Sequence, residues 1–159
     1  NQNIRVIHDT VYVKEENQIK EFSDSTLITK TEAIELPNVQ FYTNSARLLP
    51  YSIRSIQELA EYLRSHPNVN AIIKGYTDDV GDDDANLRLS QSRAESVRSM
   101  LIAFGIEQER VTAIGYGETR PKVRGNTTEA RALNRRVEVE LVNLVSEETK
   151  KSQKTKENK

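Results

Sequence analysis

Residues 69–105 read VNAIIKGYTDDVGDDDANLRLSQSRAESVRSMLIAFG, and they set the fold class. Val69 to Tyr76 is short and nearly continuous in apolar character, the pattern of a central strand buried on both faces. An acidic loop follows. Asp82, Asp83 and Asp84 then gather where a helix N-terminus favours caps and negative charge. Val97, Met100, Leu101 and Phe104 recur at helical spacing and predict a long helix facing a core. Gly105 stands where a helix needs a left-handed closing residue.

The flanks extend this unit in both directions. IELPNVQFY (Ile34 to Tyr42) alternates as a strand does, with Pro37 suiting a strand start or a sheet edge. Pro50 opens a helix whose stripe is Ile53, Ile56, Ala60 and Leu63, and Pro67 ends it. VTAIGY (Val111 to Tyr116) predicts a third strand. NTTEARALNRR (Asn126 to Arg136) holds a short helical turn. In RVEVELVN, Val137, Val139 and Leu141 alternate with Glu138, Glu140 and Val142, so one sheet face is wet along this strand. The order β-α-β-α-β-turn-β predicts a two-layer α/β sandwich, a mixed sheet with helices on one face.

The ends differ from this middle. Residues 1–35 are polar and lack a long apolar period, and are expected to form a tether or linker, although Ile4 to Val13 equally suits a strand. Residues 146–159 carry five Lys and three Glu with no apolar residue, and are expected to be a disordered Lys-rich tail. Residues 36–145 form the domain. The chain begins Asn1-Gln2-Asn3, so a membrane-anchoring N-terminal part is expected to lie outside this sequence.

Composition narrows the function. Over 159 residues the formal net charge is −1, which argues against nucleic acid as a partner. The absence of cysteine excludes disulfides and thiolate metal sites. No run of about 18 apolar residues is present to span a membrane as a helix. His8 and His66 have no nucleophile motif nearby, and no G-x-S-x-G, H-E-x-x-H or P-loop occurs. The chain is therefore read as a non-enzyme without cofactor or metal. The loop from Asp78 to Asp84 holds five carboxylates but lacks EF-hand spacing. Asn126-Thr127-Thr128 matches a glycosylation tripeptide, a frequent chance match.

One residue breaks the pattern of the long helix. Arg93 lies four, seven and eleven residues before Val97, Met100 and Phe104, on the same stripe, and shares that face with Asn86 and Ser90. An inward guanidinium requires a carboxylate, because an unpaired buried charge costs several kcal/mol. Asp78, at the end of the central strand, is the candidate, and strand ends in α/β sheets are where ligands bind. On these grounds Arg93 and Asp78 are either a structural ion pair or the two halves of a ligand clamp.

The blocks FYTNSARLLP (Phe41 to Pro50), GYTDDVG (Gly75 to Gly81), N-x-x-L-S-x-x-R-A-x-x-V (Asn86 to Val97), VTAIGYGETRP (Val111 to Pro121) and NRRVEV (Asn134 to Val139) resemble, in order and spacing, the OmpA-like peptidoglycan-binding domain. The resemblance implies a small α/β sandwich at the periplasmic face of the outer membrane of a Gram-negative bacterium. It implies non-covalent binding of peptidoglycan through diaminopimelate. By the same resemblance Asp78 takes the ammonium of that residue and Arg93 its carboxylate. Asn44, Thr77, Asn86 and Leu89 match positions lining the pocket, and Arg135 matches a basic residue at its rim. Tyr76 departs from the family's usual histidine and Asp79 from a small polar residue. The alternative is a structural assembly domain that oligomerises an envelope protein, with Asp78–Arg93 a fixed ion pair.

Overall fold

The computed structural model describes residues 10–15, 18–23, 26–36 and 38–146. Two compact units divide the chain: residues 1–32 with 142–159, and residues 33–141. In the first unit, β1 (Thr10–Glu15) and β2 (Gln18–Ser23) form an antiparallel pair in the register Thr10↔Ser23 to Glu15↔Gln18. The segment read as a tether therefore carries regular strand pairing over these residues. Ile4 to Asp9, with His8, and the tail from 147 onward lie outside the described residues, as does Pro37.

The second unit contains the α/β layers. After β3 (Thr26–Glu35), which enters this unit at Ala33, come α1 (Ser52–Ser65), β4 (Val69–Gly75), α2 (Asp83–Ala103), β5 (Val111–Gly115), α3 (Thr128–Asn134) and β6 (Val137–Ser146), which belongs to it up to Leu141. The sheet order is β3-β6-β4-β5. β4 and β5 are parallel, from Ala71↔Val111 to Gly75↔Gly115. β6 runs against β4: Lys74 pairs with Glu140, while Tyr76, two residues further on, reaches back to Glu138. The sheet is mixed, and the two-layer α/β reading holds.

The core lies between one sheet face and the helices. Val69, Ala71, Ile73, Val111, Val137 and Val139 meet Ile56, Leu63, Ala94, Val97 and Leu101, all buried. Each such aliphatic side chain contributes about 1.5–3 kcal/mol by leaving water. The opposite face carries Lys74, Glu138 and Glu140, and its charges are matched by the Lys74–Glu140 and Arg136–Glu138 pairs.

Two details differ from expectation. The strand predicted over 34–42 stops at Glu35. Leu36 N–H still donates to the Val137 carbonyl at 3.0 Å, and beyond it the backbone bonds to its own following loop: Tyr42 N–H donates to the Arg47 carbonyl at 3.0 Å and Leu49 N–H to that of Gln40 at 2.9 Å. Ile53 is exposed, and Ser52 takes its place on the buried stripe with Ile56, Leu59, Ala60 and Leu63. Ser52 tolerates burial because its hydroxyl accepts from Gln40 N at 2.8 Å and donates to Gln40 O at 3.0 Å.

The position of α2 is set by contact with strand backbone. A Cβ on Gly75 would stand 2.3 Å from the Ser90 carbonyl oxygen, and one on Gly115 2.3 Å from Gln91 N. Only glycine permits that approach. Edge strand β5 is then capped by a side chain of the helix. Gln91 donates to Ala113 O at 3.1 Å and accepts from Gly115 N at 2.7 Å. Asp82 caps α2 by accepting from Ala85 N at 2.9 Å, with Asp83 and Asp84 in the first turn.

Candidate functional site

Asp78 leaves the end of β4 and is held from two sides. Its Oδ1 accepts from Val80 N at 3.1 Å, closing a local turn. Its Oδ2 accepts from Arg135 Nη1 at 2.7 Å, and its side chain is only 13% exposed. One turn earlier on α3, Arg131 makes a forked contact with Asp79, Nε to Oδ1 at 2.6 Å and Nη2 to Oδ2 at 3.4 Å. Arg131 beside it holds the Asp79 carboxyl below the usual carboxylate range. Successive aspartates thus meet arginines four residues apart on one helix face.

Arg93 does not join this ladder. Its Nε donates to the Ser45 carbonyl at 3.0 Å, and its guanidinium lies 5.1 Å from the centre of the Phe41 ring. Among the described residues it makes no ion pair. Burial pushes its pKa down, Arg135 pushes in the same direction, and Asp78 opposes them. Of the two readings of Asp78 and Arg93, the direct ion pair is not formed among the described residues: Asp78 pairs with Arg135, because α3 brings Arg135 to the loop while the 42–47 turn brings a carbonyl to Arg93. A structural-assembly role that depends on a fixed Asp78–Arg93 pair loses that premise.

Arg93 instead lines a cavity of about 220 Å³ with Gln40, Phe41, Tyr76, Arg135 and Arg136. Arg136 is matched by Glu138 at 2.7 Å and lies 3.8 Å over the Tyr76 ring. The Tyr76 hydroxyl donates to Glu138 at 3.1 Å, and its ring stacks on Tyr116 at 5.3 Å. Burial first, then Glu138, raises the Tyr76 pKa far above the usual tyrosine range. The departure from histidine thus places a packed, engaged phenol at this position.

The remaining expected residues divide. Asn86 is buried and stitches the loop: its amide donates to Val80 O at 3.1 Å and to Glu118 Oε2 at 2.9 Å. Thr77 is buried and its N–H donates to Gly117 O at 2.9 Å. Its hydroxyl has no hydrogen-bond partner among the described residues. Thr77 and Asp78 border a second cavity of about 360 Å³ with Glu118, Val123 and Asn126. Asn44 is exposed at φ 49° in the 42–47 turn, and Leu89 is half-buried. Neither lines these two cavities. Sequence reasoning missed Arg131, Arg136, Phe41 and Glu118. The i, i+4 spacing of Arg131 and Arg135 opposite adjacent Asp78 and Asp79 was a usable signal for the first of these.

A half-buried cation, a held carboxylate and a polar cavity lie near the strand end of this α/β sandwich, the kind of place where small ligands bind. Residues 40–135 match the OmpA family, and the chain belongs to it. It is 40% identical over 105 residues to outer membrane porin F of Pseudomonas aeruginosa, a match covering 65% of this chain and 30% of porin F. The chain thus spans about a third of that relative. A peptidoglycan-associated lipoprotein of Buchnera aphidicola is 30% identical over 133 residues, covering 80% of this chain and 77% of the relative. The crystal structure of the peptidoglycan-associated lipoprotein from Burkholderia pseudomallei superposes with a TM-score of 0.60 at 32% identity, covering 67% of this chain and 88% of that one.

Proposed function

We propose that residues 36–145 are a non-catalytic module that binds peptidoglycan at the periplasmic face of the outer membrane. It ties a membrane-anchored part of the same protein to the cell wall, with residues 1–35 as the connecting segment and 146–159 as a tail. Relatives named as peptidoglycan-associated lipoproteins support the wall as partner. The finer reading is that the diaminopimelate of the stem peptide is the group held. Asp78 takes the ammonium and Arg93 the carboxylate, with Arg135 at the rim and Asn44, Thr77, Asn86 and Leu89 shaping the surroundings.

The observation that carries this reading is Arg93. A guanidinium placed against Phe41 and given only a carbonyl is costly unless a carboxylate completes it. A forked guanidinium and a nearby carboxylate suit an amino-acid head group, which presents both charges at fixed separation. One such group is expected to bind with a Kd between roughly 1 μM and 1 mM, and many copies along a wall raise avidity. The test is co-sedimentation with purified sacculi. The parent should pellet, and Asp78→Ala and Arg93→Ala should stay in solution. Pelleting of both variants at the parent's level would end the diaminopimelate reading, and failure of the parent would end the wall reading.

A further inference from the structure

The charges at the site do not balance for a zwitterion. Arg136 is matched by Glu138 and Arg131 by Asp79, so both drop out of the count. Glu118 and Arg124, which border the second cavity with Asp78, offset each other, and what remains among the described residues is one carboxylate, Asp78, against two guanidiniums, Arg135 and Arg93. Arg135 is also close enough to Arg93 to disfavour its charge. A head group bearing one ammonium and one carboxylate adds no net charge. When its ammonium turns to Asp78, Arg135 must share the one acidic partner it has among the described residues.

Resting on the stem-peptide reading above, we infer that the site takes a ligand with one negative charge more than a zwitterion, and that Arg135 receives the additional carboxylate. Arg135 suits the role by position. Its side chain is 47% exposed, so the guanidinium can turn from Asp78 toward a group outside the 220 Å³ cavity whose wall it shares. Arg93, more buried and bonded to Ser45, takes the carboxylate of the head group itself. A stem ending in diaminopimelate offers two sources of the extra charge: the α-carboxylate of the preceding γ-linked glutamate, or the second carboxylate of diaminopimelate. Arg135 would then make the domain a reader of stem amidation, because an amide keeps the shape of the acid and removes its charge.

The experiment titrates the folded protein, by calorimetry, with three synthetic L-Ala-γ-D-Glu-diaminopimelate tripeptides. One is unmodified, one is amidated at the glutamate α-carboxylate, and one at the diaminopimelate carboxylate remote from the clamp. The unmodified peptide should bind roughly tenfold more tightly than one of the two amides, the usual effect of losing one charge-assisted hydrogen bond. Arg135→Gln should bring that ratio to about one, and Arg135→Lys should keep part of it. Equal binding of all three peptides by the parent overturns the inference and leaves the wall reading standing. Persistence of the ratio in Arg135→Gln overturns the role of Arg135. If no peptide binds, the stem-peptide reading fails, and this inference with it.

Discussion

Asp78 and Arg135 are joined at 2.7 Å across the gap between the β4 loop and α3, while Arg93 rests on a carbonyl. The site thus keeps its acid neutralised and leaves one half-buried cation without an acid among the described residues. A residue kept for folding would not be arranged this way. Arg93→Met should therefore leave stability unchanged or raise it by up to about 1 kcal/mol, since apolar replacements of poorly compensated charges often stabilise. It should also abolish retention on sacculi. Urea denaturation checks the first half, and a loss above about 2 kcal/mol would make Arg93 structural.

Thr77 points to the same trade. Its buried hydroxyl has no partner among the described residues, and an unsatisfied hydroxyl costs about 1–3 kcal/mol. Thr77→Val keeps the shape and removes the polar atom. We expect a gain of about 1 kcal/mol in unfolding free energy, read from the shift of the urea midpoint at constant m-value. A loss of that size would mean the hydroxyl is bonded in solution.

Tyr76 should behave in the opposite sense. Its hydroxyl donates to the half-buried Glu138 carboxylate. Tyr76→Phe is expected to cost about 1–2 kcal/mol and to leave binding to sacculi unaltered. A variant that folds as stably as the parent but no longer pellets would move Tyr76 from packing to recognition.

Acid should act on the Asp79–Arg131 contact in a defined direction. The folded pKa of Asp79 is lowered, mainly by the Arg131 hydrogen bond. Its contribution is therefore present above the unfolded value of about 3.9 and disappears as pH falls through the folded one. At pH 7, Asp79→Asn should melt no more than about 2 °C below the parent. The two melting curves should converge on acidification below about pH 4. A gap that widens in acid would contradict the assigned sign.

Gly75→Ala tests the packing of α2. The added Cβ meets the Ser90 carbonyl at 2.3 Å, a backbone atom that cannot rotate aside. A cost of about 3 kcal/mol is expected, seen as a lower thermal midpoint. A neutral substitution would show that helix and strand part more easily than their contact implies.

The strand, loop and helix over 69–105 were legible because one period of apolar residues dominates each, and because Asp82 and Gly105 mark the helix ends. Ile53 and Ser52 were not, since periodicity weighs polarity and cannot see that Gln40 would satisfy a buried hydroxyl. The region 34–42 alternates like a strand throughout, yet beyond Leu36 its hydrogen bonds close locally, which only the path of the chain reveals. Asp78 and Arg93 were legible as site candidates from position and resemblance. Their actual partners were not, because the pairing depends on where α3 and the 42–47 turn come to rest. Asn86 illustrates the same limit: its face on the helix is visible in the sequence, whereas its hold on Val80 and Glu118 is a matter of loop geometry.

The bare backbone contact at Gly75 and Gly115 has a consequence for selectivity. With no side chain between α2 and the strands at these two points, the helix bearing Arg93 is held against sliding there. The spacing between the Arg93 backbone and the strand end bearing Asp78 is thus settled when the chain folds, and a ligand meets a template already ordered. Discrimination among amino-acid head groups should then be abrupt. A head group with one methylene inserted between its ammonium and its carboxylate would lose one of its two charge contacts outright, where a yielding site would trade a little of each.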